Sequence, residues 1–155
     1  MLIKKILLII CLGVLPLGLV ACSGPTPDQL LENRINIQEF IDRGIARANA
    51  GDAKGMNVAF DQAFAIEPKS TKVLVSRGFA RSTLKDYKGA VADQTAAIAI
   101  NPDLPEAYAN RGTAYYRLGQ KKAARADWQK AAALFKANKN TSKYNELVDV
   151  LDQFH

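Results

Sequence analysis

Histidine and cysteine, the side chains that most often act as nucleophile, general base or transition-metal ligand, are scarce in this sequence of 155 residues. The only histidine is the last residue, His155, and the two cysteines, Cys11 and Cys22, lie within or immediately after an apolar run near the N terminus. Nucleophile–base catalysis and a transition-metal site both need several such groups that converge. We therefore expect no catalytic residue, no metal, no cofactor and no enzymatic activity.

Arginine and aspartate recur sixteen residues apart, as Arg77 with Asp93 and as Arg111 with Asp127. In an antiparallel helical hairpin whose turn lies midway between the two positions, these side chains face each other. A partly buried charge needs a partner of opposite sign. We therefore interpret these arginines as structural rather than as ligand-binding residues.

A pattern of 34 residues is written three times without a gap, over residues 37–70, 71–104 and 105–138. The shared positions are Arg43-Gly44, Arg77-Gly78 and Arg111-Gly112, then Ala46, Ala80 and Ala114, and later Ala63, Ala97 and Ala131. Such a period indicates stacked supersecondary units. In the first copy Ala59 stands where the aspartate partner of the arginine would be, so we expect Asp61 or a neighbouring repeat to serve Arg43 instead.

Each copy places a glycine inside a predicted helix, for example Gly78, and a large residue on the following helix. The large residue is Phe60 in the first copy, Gln94 in the second and Trp128 in the third. A glycine inside a helix costs about 1 kcal/mol relative to alanine. A side chain at that position must therefore cost more, which predicts a close approach of two helices.

This period and pattern resemble the tetratricopeptide repeat, a helix–turn–helix unit. The resemblance implies an all-α fold, a right-handed superhelical solenoid of three repeats. We predict repeat helices at about 38–50, 53–66, 71–84, 87–100, 105–118 and 121–137. Residues 27–36 should form an N-terminal helical extension, either broken near Asn36 or fused to the first repeat helix, and residues 139–155 should form a C-terminal capping helix.

Residues 1–21 have the layout of an export signal, with Lys4 and Lys5 before an apolar run that Gly13 and Pro16 interrupt. The run is short for a membrane-spanning helix, which needs about 20 apolar residues. Leu19-Val20-Ala21-Cys22 resembles the lipobox of bacterial lipoproteins. The resemblance implies cleavage before Cys22, lipid such as palmitate on this residue, and a lipidated tether over residues 22–26. The alternatives are an ordinary signal with a chance cysteine, or an uncleaved anchor.

The chain carries 21 Lys+Arg and 15 Asp+Glu, a formal charge of +6. Removal of Lys4 and Lys5 with the leader lowers the charge to +4, and the remaining cationic runs are as short as Lys121-Lys122. Dispersed charge of this kind is typical of a solvated surface. We expect no nucleic-acid partner.

By the same family resemblance, a partner would bind the concave face of the first helices. The predicted groove residues are Ile41, Ile45, Lys72, Val75, Phe79, Glu106, Thr113, Tyr116 and Arg117. The family's clamp for acidic chaperone tails is missing, because Ile41, Ile45, Ser76, Glu106 and Asn110 occupy its positions. Two alternatives remain open: the groove is exposed, or Leu30, Leu31 and Ile35 of the N-terminal extension fold over it.

Together these patterns favour a lipid-anchored adaptor on the periplasmic or extracellular face of a bacterial membrane, either inner or outer. It would bind a peptide or protein partner and aid the assembly of an envelope or membrane complex. The alternative is a structural envelope lipoprotein that self-associates into a homo-oligomer and has no separate client.

Overall fold

The computed structural model describes residue 24 and residues 26–153, without the side chains of residues 33–35. Within these residues the chain forms seven α-helices and no β-strand. They are α1 (Pro27–Asn49), α2 (Ala53–Ile66), α3 (Thr71–Thr83), α4 (Tyr87–Ile100), α5 (Pro105–Arg117), α6 (Lys121–Ala137) and α7 (Thr141–Asp152). The predicted all-α solenoid of three helix–turn–helix repeats with helices at both ends is confirmed. The leader, Cys22 and His155 lie outside the described residues.

The start of α1 is fixed by a reciprocal pair of hydrogen bonds. The Thr26 hydroxyl accepts from the backbone N–H of Gln29 at 3.3 Å, and the Gln29 side chain accepts from the backbone N–H of Thr26 at 2.9 Å. Pro27 occupies the first turn, where its missing N–H is not needed. From there α1 runs for 23 residues without a break. Of the two alternatives, fusion of the N-terminal extension to the first repeat helix is therefore the one observed, and α1 has no break near Asn36.

Short turns fold each helix pair into an antiparallel hairpin. The turn residue has a positive φ in all three repeats, +76° at Gly51, +63° at Lys85 and +77° at Gly119. Glycine adopts this left-handed conformation without steric cost, whereas lysine does not. Asp52 and Asp86 then cap α2 and α4 by accepting from backbone N–H groups at 2.8 and 2.9 Å.

The two helices of each hairpin approach most closely at the repeat glycine. A Cβ atom built there would lie 2.6 Å from Phe60 at Gly44, 2.5 Å from Gln94 at Gly78 and 2.7 Å from Trp128 at Gly112. Real Cβ atoms are essentially never found below 3.0 Å from such a neighbour. The predicted close contact at each glycine is confirmed, and it sets the spacing of the helices that carry the site.

The last helix closes the end of the solenoid. Leu147 of α7 is buried in the same apolar cluster as Trp128 and Phe135 of α6, and Tyr144 and Leu151 pack against that cluster. Because no fourth repeat follows α6, its outer face would otherwise be exposed, and α7 covers that face. No helix of residues 26–153 is both long enough and apolar enough to cross a bilayer.

Candidate functional site

A concave cavity of about 400 Å³ opens between the first helices of the repeats and α7. We call it the apolar pocket, because hydrophobic side chains make up most of its walls. Its lining consists of Ile45, Val75, Ser76, Phe79, Glu106, Ala109, Asn110, Phe135, Lys143, Glu146, Leu147 and Val150. Helices α1, α3 and α5 form one wall, while α6 and α7 form the other. A cavity with apolar walls and a few polar groups is the usual form of a binding site.

Four of the predicted groove residues, Ile45, Val75, Phe79 and Glu106, lie together in the apolar pocket. The Phe79 side chain is 49% exposed, although it belongs to a residue type that is usually buried. Lys72 lies beside them, in a shallower depression of about 260 Å³ that also includes Val75 and Glu106. The sequence therefore indicated the α3 side of the pocket well.

Thr113 and Arg117 lie in a separate cavity, also of about 400 Å³. We call it the polar pocket, and its lining consists of Ser82, Thr83, Lys85, Tyr87, Thr113 and Arg117. It lies at the C-terminal ends of α3 and α5 and the start of α4. The predicted groove thus contains two adjoining parts, one apolar and one cationic.

Two predicted groove residues line none of these three cavities. Ile41 is only 2% exposed and belongs to the core cluster that includes Met56 and Phe60. It lies one helical turn before Ile45, at a level where α1 is covered by its own hairpin partner and by α3. Tyr116 is 39% exposed, with its ring centroid 6.0 Å from that of Trp128. The assignment of Ile41 to an accessible groove is wrong.

The N-terminal extension leaves the apolar pocket open. Leu30 and Leu31 are 49% and 58% exposed on the continuous helix α1. A helix without a break cannot fold back over its own concave side, and Phe79 is accordingly half exposed. The alternative in which these leucines cover the groove is wrong; the side chain of Ile35 lies outside the described residues.

The second wall of the pocket contains residues that the repeat pattern did not indicate. Phe135, Leu147 and Val150 contribute apolar surface, and Lys143 pairs with Glu146 at 2.8 Å on the rim. The signal was present in the spacing of residues 143, 146, 147 and 150, which places them along one side of a helix. That side of α7 faces the concave surface while its neighbouring side packs on α6.

The repeat arginines are structural, as predicted. Arg77 donates from Nε and Nη2 to the two carboxylate oxygens of Asp93, at 3.0 and 2.6 Å. Arg111 donates in the same way to Asp127, at 2.7 and 2.9 Å. The hydrogen bond to Asp127 raises the pKa of Arg111, against the opposing effect of burial. None of these four side chains lines the apolar or the polar pocket.

Arg43 differs from the other two repeat arginines. It is exposed and pairs with Glu39 of its own helix, at 2.7 Å. The expectation that Asp61 or a neighbouring repeat serves as its partner is wrong. A glutamate one turn away reaches the guanidinium without any help from a second helix.

The part of the chain that the structure describes contains no group of three or more His, Cys, Asp or Glu side chains that could hold a metal ion.

Two family models match the chain. One, described as TPR repeat, matches residues 83–119, and one described as Tetratricopeptide repeat matches residues 105–138. Tetratricopeptide repeats are thus detected in the second and third copies of the pattern. A search of curated protein sequences finds no match to this chain.

Solved structures with the same fold include the following three. The TPR2B domain of yeast Sti1, in a pHsp70 complex, is 20% identical with a TM-score of 0.66, covering 76% of this chain and 94% of that one. The translocator chaperone SycD of Yersinia enterocolitica type III secretion is 13% identical with a TM-score of 0.69, covering 84% and 99%. PcrH, in complex with the chaperone-binding region of PopB, is 15% identical with a TM-score of 0.65, covering 74% and 94%. These similarities show a tetratricopeptide solenoid.

Proposed function

We propose that this protein is an adaptor that binds a peptide or partner protein in the apolar pocket and that lipid on Cys22 holds it on the non-cytoplasmic side of a bacterial membrane. The observation that carries the proposal is the half-exposed ring of Phe79 in a concave cavity of about 400 Å³ with apolar walls. Burial of such a ring is gained only when a partner fills the cavity, so the exposed surface is available to stabilise a complex.

Two proteins with this fold support a role in binding. The Sti1 domain is in a complex with pHsp70, and PcrH is in a complex with a region of PopB. The partner of the present chain would differ from an acidic chaperone tail in one respect. Its anchor would be an apolar side chain, because Ile45, Val75 and Phe79 line the cavity.

The membrane attachment is supported by the sequence Leu19-Val20-Ala21-Cys22 at the end of the apolar leader. Cleavage before Cys22 would leave only four residues between the lipidated cysteine and α1. Several acyl chains on one residue would give stable attachment, which a single chain does not. The adaptor would therefore act close to the bilayer, where assembly of an envelope or membrane complex takes place.

Site-specific photocrosslinking in the producing cell tests the binding role. A photoreactive amino acid replaces Phe79 in one variant and Ile100 in the other; both side chains are 49% exposed, but Ile100 lines neither pocket. We expect a discrete crosslinked partner at position 79 and none at position 100. A crosslink at position 79 to a second copy of this chain would instead favour the self-associating structural lipoprotein. The absence of any crosslink specific to position 79 would rule out the pocket as a binding site.

Membrane fractionation tests the anchor, and the chain provides a matched control. Cys22→Ser should block processing of the leader or release the protein into the soluble fraction, whereas Cys11→Ser should change neither. Normal processing together with unchanged membrane retention in Cys22→Ser would overturn the lipoprotein assignment. This experiment is independent of the crosslinking result, because an adaptor without a lipid anchor could still use the pocket.

A further inference from the structure

We propose that the partner segment carries a carboxylate beside its apolar anchor, and that this carboxylate binds in the polar pocket between Lys85 and Arg117. The inference rests on the proposed function of the apolar pocket. It adds the chemistry of a second residue of the partner segment, a few positions from the anchor. It would give the groove a charge preference that the apolar pocket alone does not provide.

The lining of the polar pocket has one sign of charge. Lys85 and Arg117 are its two cations. The hydroxyls of Thr83 and Thr113 donate to the backbone oxygens of Phe79 and Ala109, at 3.3 and 3.0 Å, which leaves Ser82 and Tyr87 as the hydroxyl donors of the lining. No carboxylate belongs to the lining. The ion pairs found among the described residues involve other cations, so no carboxylate of the described residues neutralises Lys85 or Arg117. A cavity lined by two cations and no carboxylate favours an anionic group.

Asp86 is the carboxylate adjacent to this pocket in sequence, and it is already engaged. One of its oxygens accepts from the backbone N–H of Gly89 at 2.9 Å, which caps α4. The other oxygen lies 3.8 Å from Nε of Arg81. Asp86 therefore serves the helix start and Arg81, and the two pocket cations remain available.

Helix ends give one reason for a cation at each of these positions. Arg117 is the last residue of α5 and Lys85 follows the end of α3, where the partial negative charge of a helix C terminus favours a cation. That effect explains each charge singly, but it does not require both to line one cavity. Lys85 also occupies a left-handed conformation that Gly51 and Gly119 take in the other repeats.

The two pockets are close enough for one short segment to reach both. On α3, Phe79 lines the apolar pocket and Thr83 lines the polar one, a helical rise of about 6 Å. On α5, Asn110 and Arg117 are separated by a rise of about 10 Å. An extended chain rises about 3.3 Å per residue. The anchor and the acidic residue of the partner should therefore be two or three positions apart.

The charge at the opposite end of the groove sets the direction of the segment. Glu106, in the first turn of α5, lines the apolar pocket, and Arg117 ends the same helix. Lys72 lines the same depression as Glu106, so charges of both signs are present at that end. A partner carboxylate is attracted more strongly near Arg117, where two cations and no carboxylate line the polar pocket. The acidic residue is thus directed toward the C-terminal ends of α3 and α5.

Peptide phage display on the full-length protein in detergent micelles tests this inference. The parent should enrich peptides in which a large apolar residue lies two or three positions from Asp or Glu. The Lys85→Glu/Arg117→Glu variant should instead enrich Lys or Arg at that position. The control is Lys54→Glu/Lys88→Glu, which makes the same change in charge at exposed positions outside both pockets and should select the same peptides as the parent.

Fluorescence anisotropy with a peptide selected by the parent gives the magnitude. Reversal of both cations should weaken binding of this peptide about tenfold, because each rim charge contributes modestly to affinity. Exchange of the peptide's Glu for Lys should restore binding to the reversed variant. Should the double variant lose its helical circular dichroism, Arg117→Gln is measured instead, with a loss of about threefold expected.

Three results separate this inference from the proposed function. Selection of apolar peptides without an acidic preference, unaffected by charge reversal, would overturn the inference and leave the apolar pocket in place. Selection that is the same for Phe79→Ala as for the parent, or no selection at all, would overturn the use of the apolar pocket itself. A switch from acidic to basic peptides on charge reversal supports both.

Discussion

Arg77 and Asp93 form a two-point ion pair in which each carboxylate oxygen accepts one guanidinium hydrogen bond. A third hydrogen bond reaches the same aspartate from Arg81, at 2.8 Å. In the next repeat Arg111 makes the matching pair with Asp127, but no second arginine joins it among the contacts that the structure describes. The two buried aspartates therefore differ in how many charged partners they would retain after a mutation.

This difference predicts unequal costs for two matched substitutions. Arg111→Leu leaves Asp127 buried without its ionic partner and should lower the free energy of unfolding by about 3 kcal/mol. Arg77→Leu leaves Asp93 with Arg81, and we expect a loss of about 1 to 2 kcal/mol. Urea unfolding of both variants measures the difference. A larger loss for Arg77→Leu than for Arg111→Leu would contradict this explanation.

The repeat glycines predict unequal losses of stability for a second pair of substitutions. A Cβ on Gly112 would meet the Trp128 ring at 2.7 Å and the backbone oxygen of Ala124 at 3.1 Å, whereas a Cβ on Gly78 would meet the movable end of Gln94 at 2.5 Å. Overpacking typically costs about 1 to 3 kcal/mol. Gly112→Ala should lie at the upper end of this range and Gly78→Ala at the lower end. Thermal melts check the order, with Ala92→Leu on the exposed face of α4 as control.

The features that the sequence predicted well are those fixed inside one copy of the repeat. A period of 34 residues places an arginine and an aspartate sixteen positions apart on facing helices, and the same register places Gly78 against Gln94. Helix periodicity and a known turn position are sufficient to derive these contacts. For this reason the close glycine contacts and both Arg–Asp pairs could be predicted from the sequence.

The features that were missed depend on neighbours outside the repeat register. Ile41 and Ile45 lie one turn apart on the same side of α1, and only the packing of α2 and α3 makes one of them core and the other groove. Most of the second wall of the apolar pocket comes from α7, which has no counterpart in the repeats. Lys85 was missed as a pocket residue because the cavity that a turn residue borders depends on the neighbouring helices and not on the turn itself.

Gln94 is a source of instability at the centre of the solenoid. Its side chain is fully buried and donates from Nε2 to the backbone oxygen of Val75 at 3.0 Å, but its Oε1 atom accepts no hydrogen bond within the described structure. An unsatisfied buried acceptor costs about 1 to 3 kcal/mol, and a neutral hydrogen bond contributes about 1 kcal/mol. Gln94→Met, of similar volume, should therefore raise the free energy of unfolding by about 1 kcal/mol.

Gln129→Met provides the control for that substitution, because Gln129 is exposed on α6. We expect a change within about 0.5 kcal/mol there. Urea unfolding of the two variants measures both changes in the free energy of unfolding. A destabilised Gln94→Met would show that the buried amide contributes more through its hydrogen bond than its unpaired oxygen costs.

The cap of α2 predicts a contribution to stability that depends on pH. The hydrogen bond from the backbone N–H of Gly55 lowers the pKa of Asp52, and Arg47 at 3.1 Å acts in the same direction. A carboxyl with a lower pKa in the folded state stabilises the fold above its unfolded pKa of about 4, and this contribution is lost as the pH falls through the folded value. Asp52→Asn retains a capping oxygen but does not titrate. Its melting temperature should therefore lie slightly below that of the parent at pH 7, and it should fall less steeply below about pH 4. An equally steep fall of the melting temperature in both proteins below about pH 4 would contradict the assignment.

Phe79 and Phe60 form the matched pair that tests whether the apolar pocket is open. Phe60 is fully buried, whereas Phe79 is 49% exposed at the pocket wall. Phe60→Ala should lower the free energy of unfolding by about 3 to 5 kcal/mol, because it leaves a cavity in the core. Phe79→Ala should lower it by less than about 1 kcal/mol, because half of the ring already contacts water. Urea unfolding measures both values, and circular dichroism confirms that the helices are retained. A loss at Phe79 close to that at Phe60 would mean that the ring is covered in solution, and the search for the partner surface would then move to the convex side, where the second helices of the repeats are exposed.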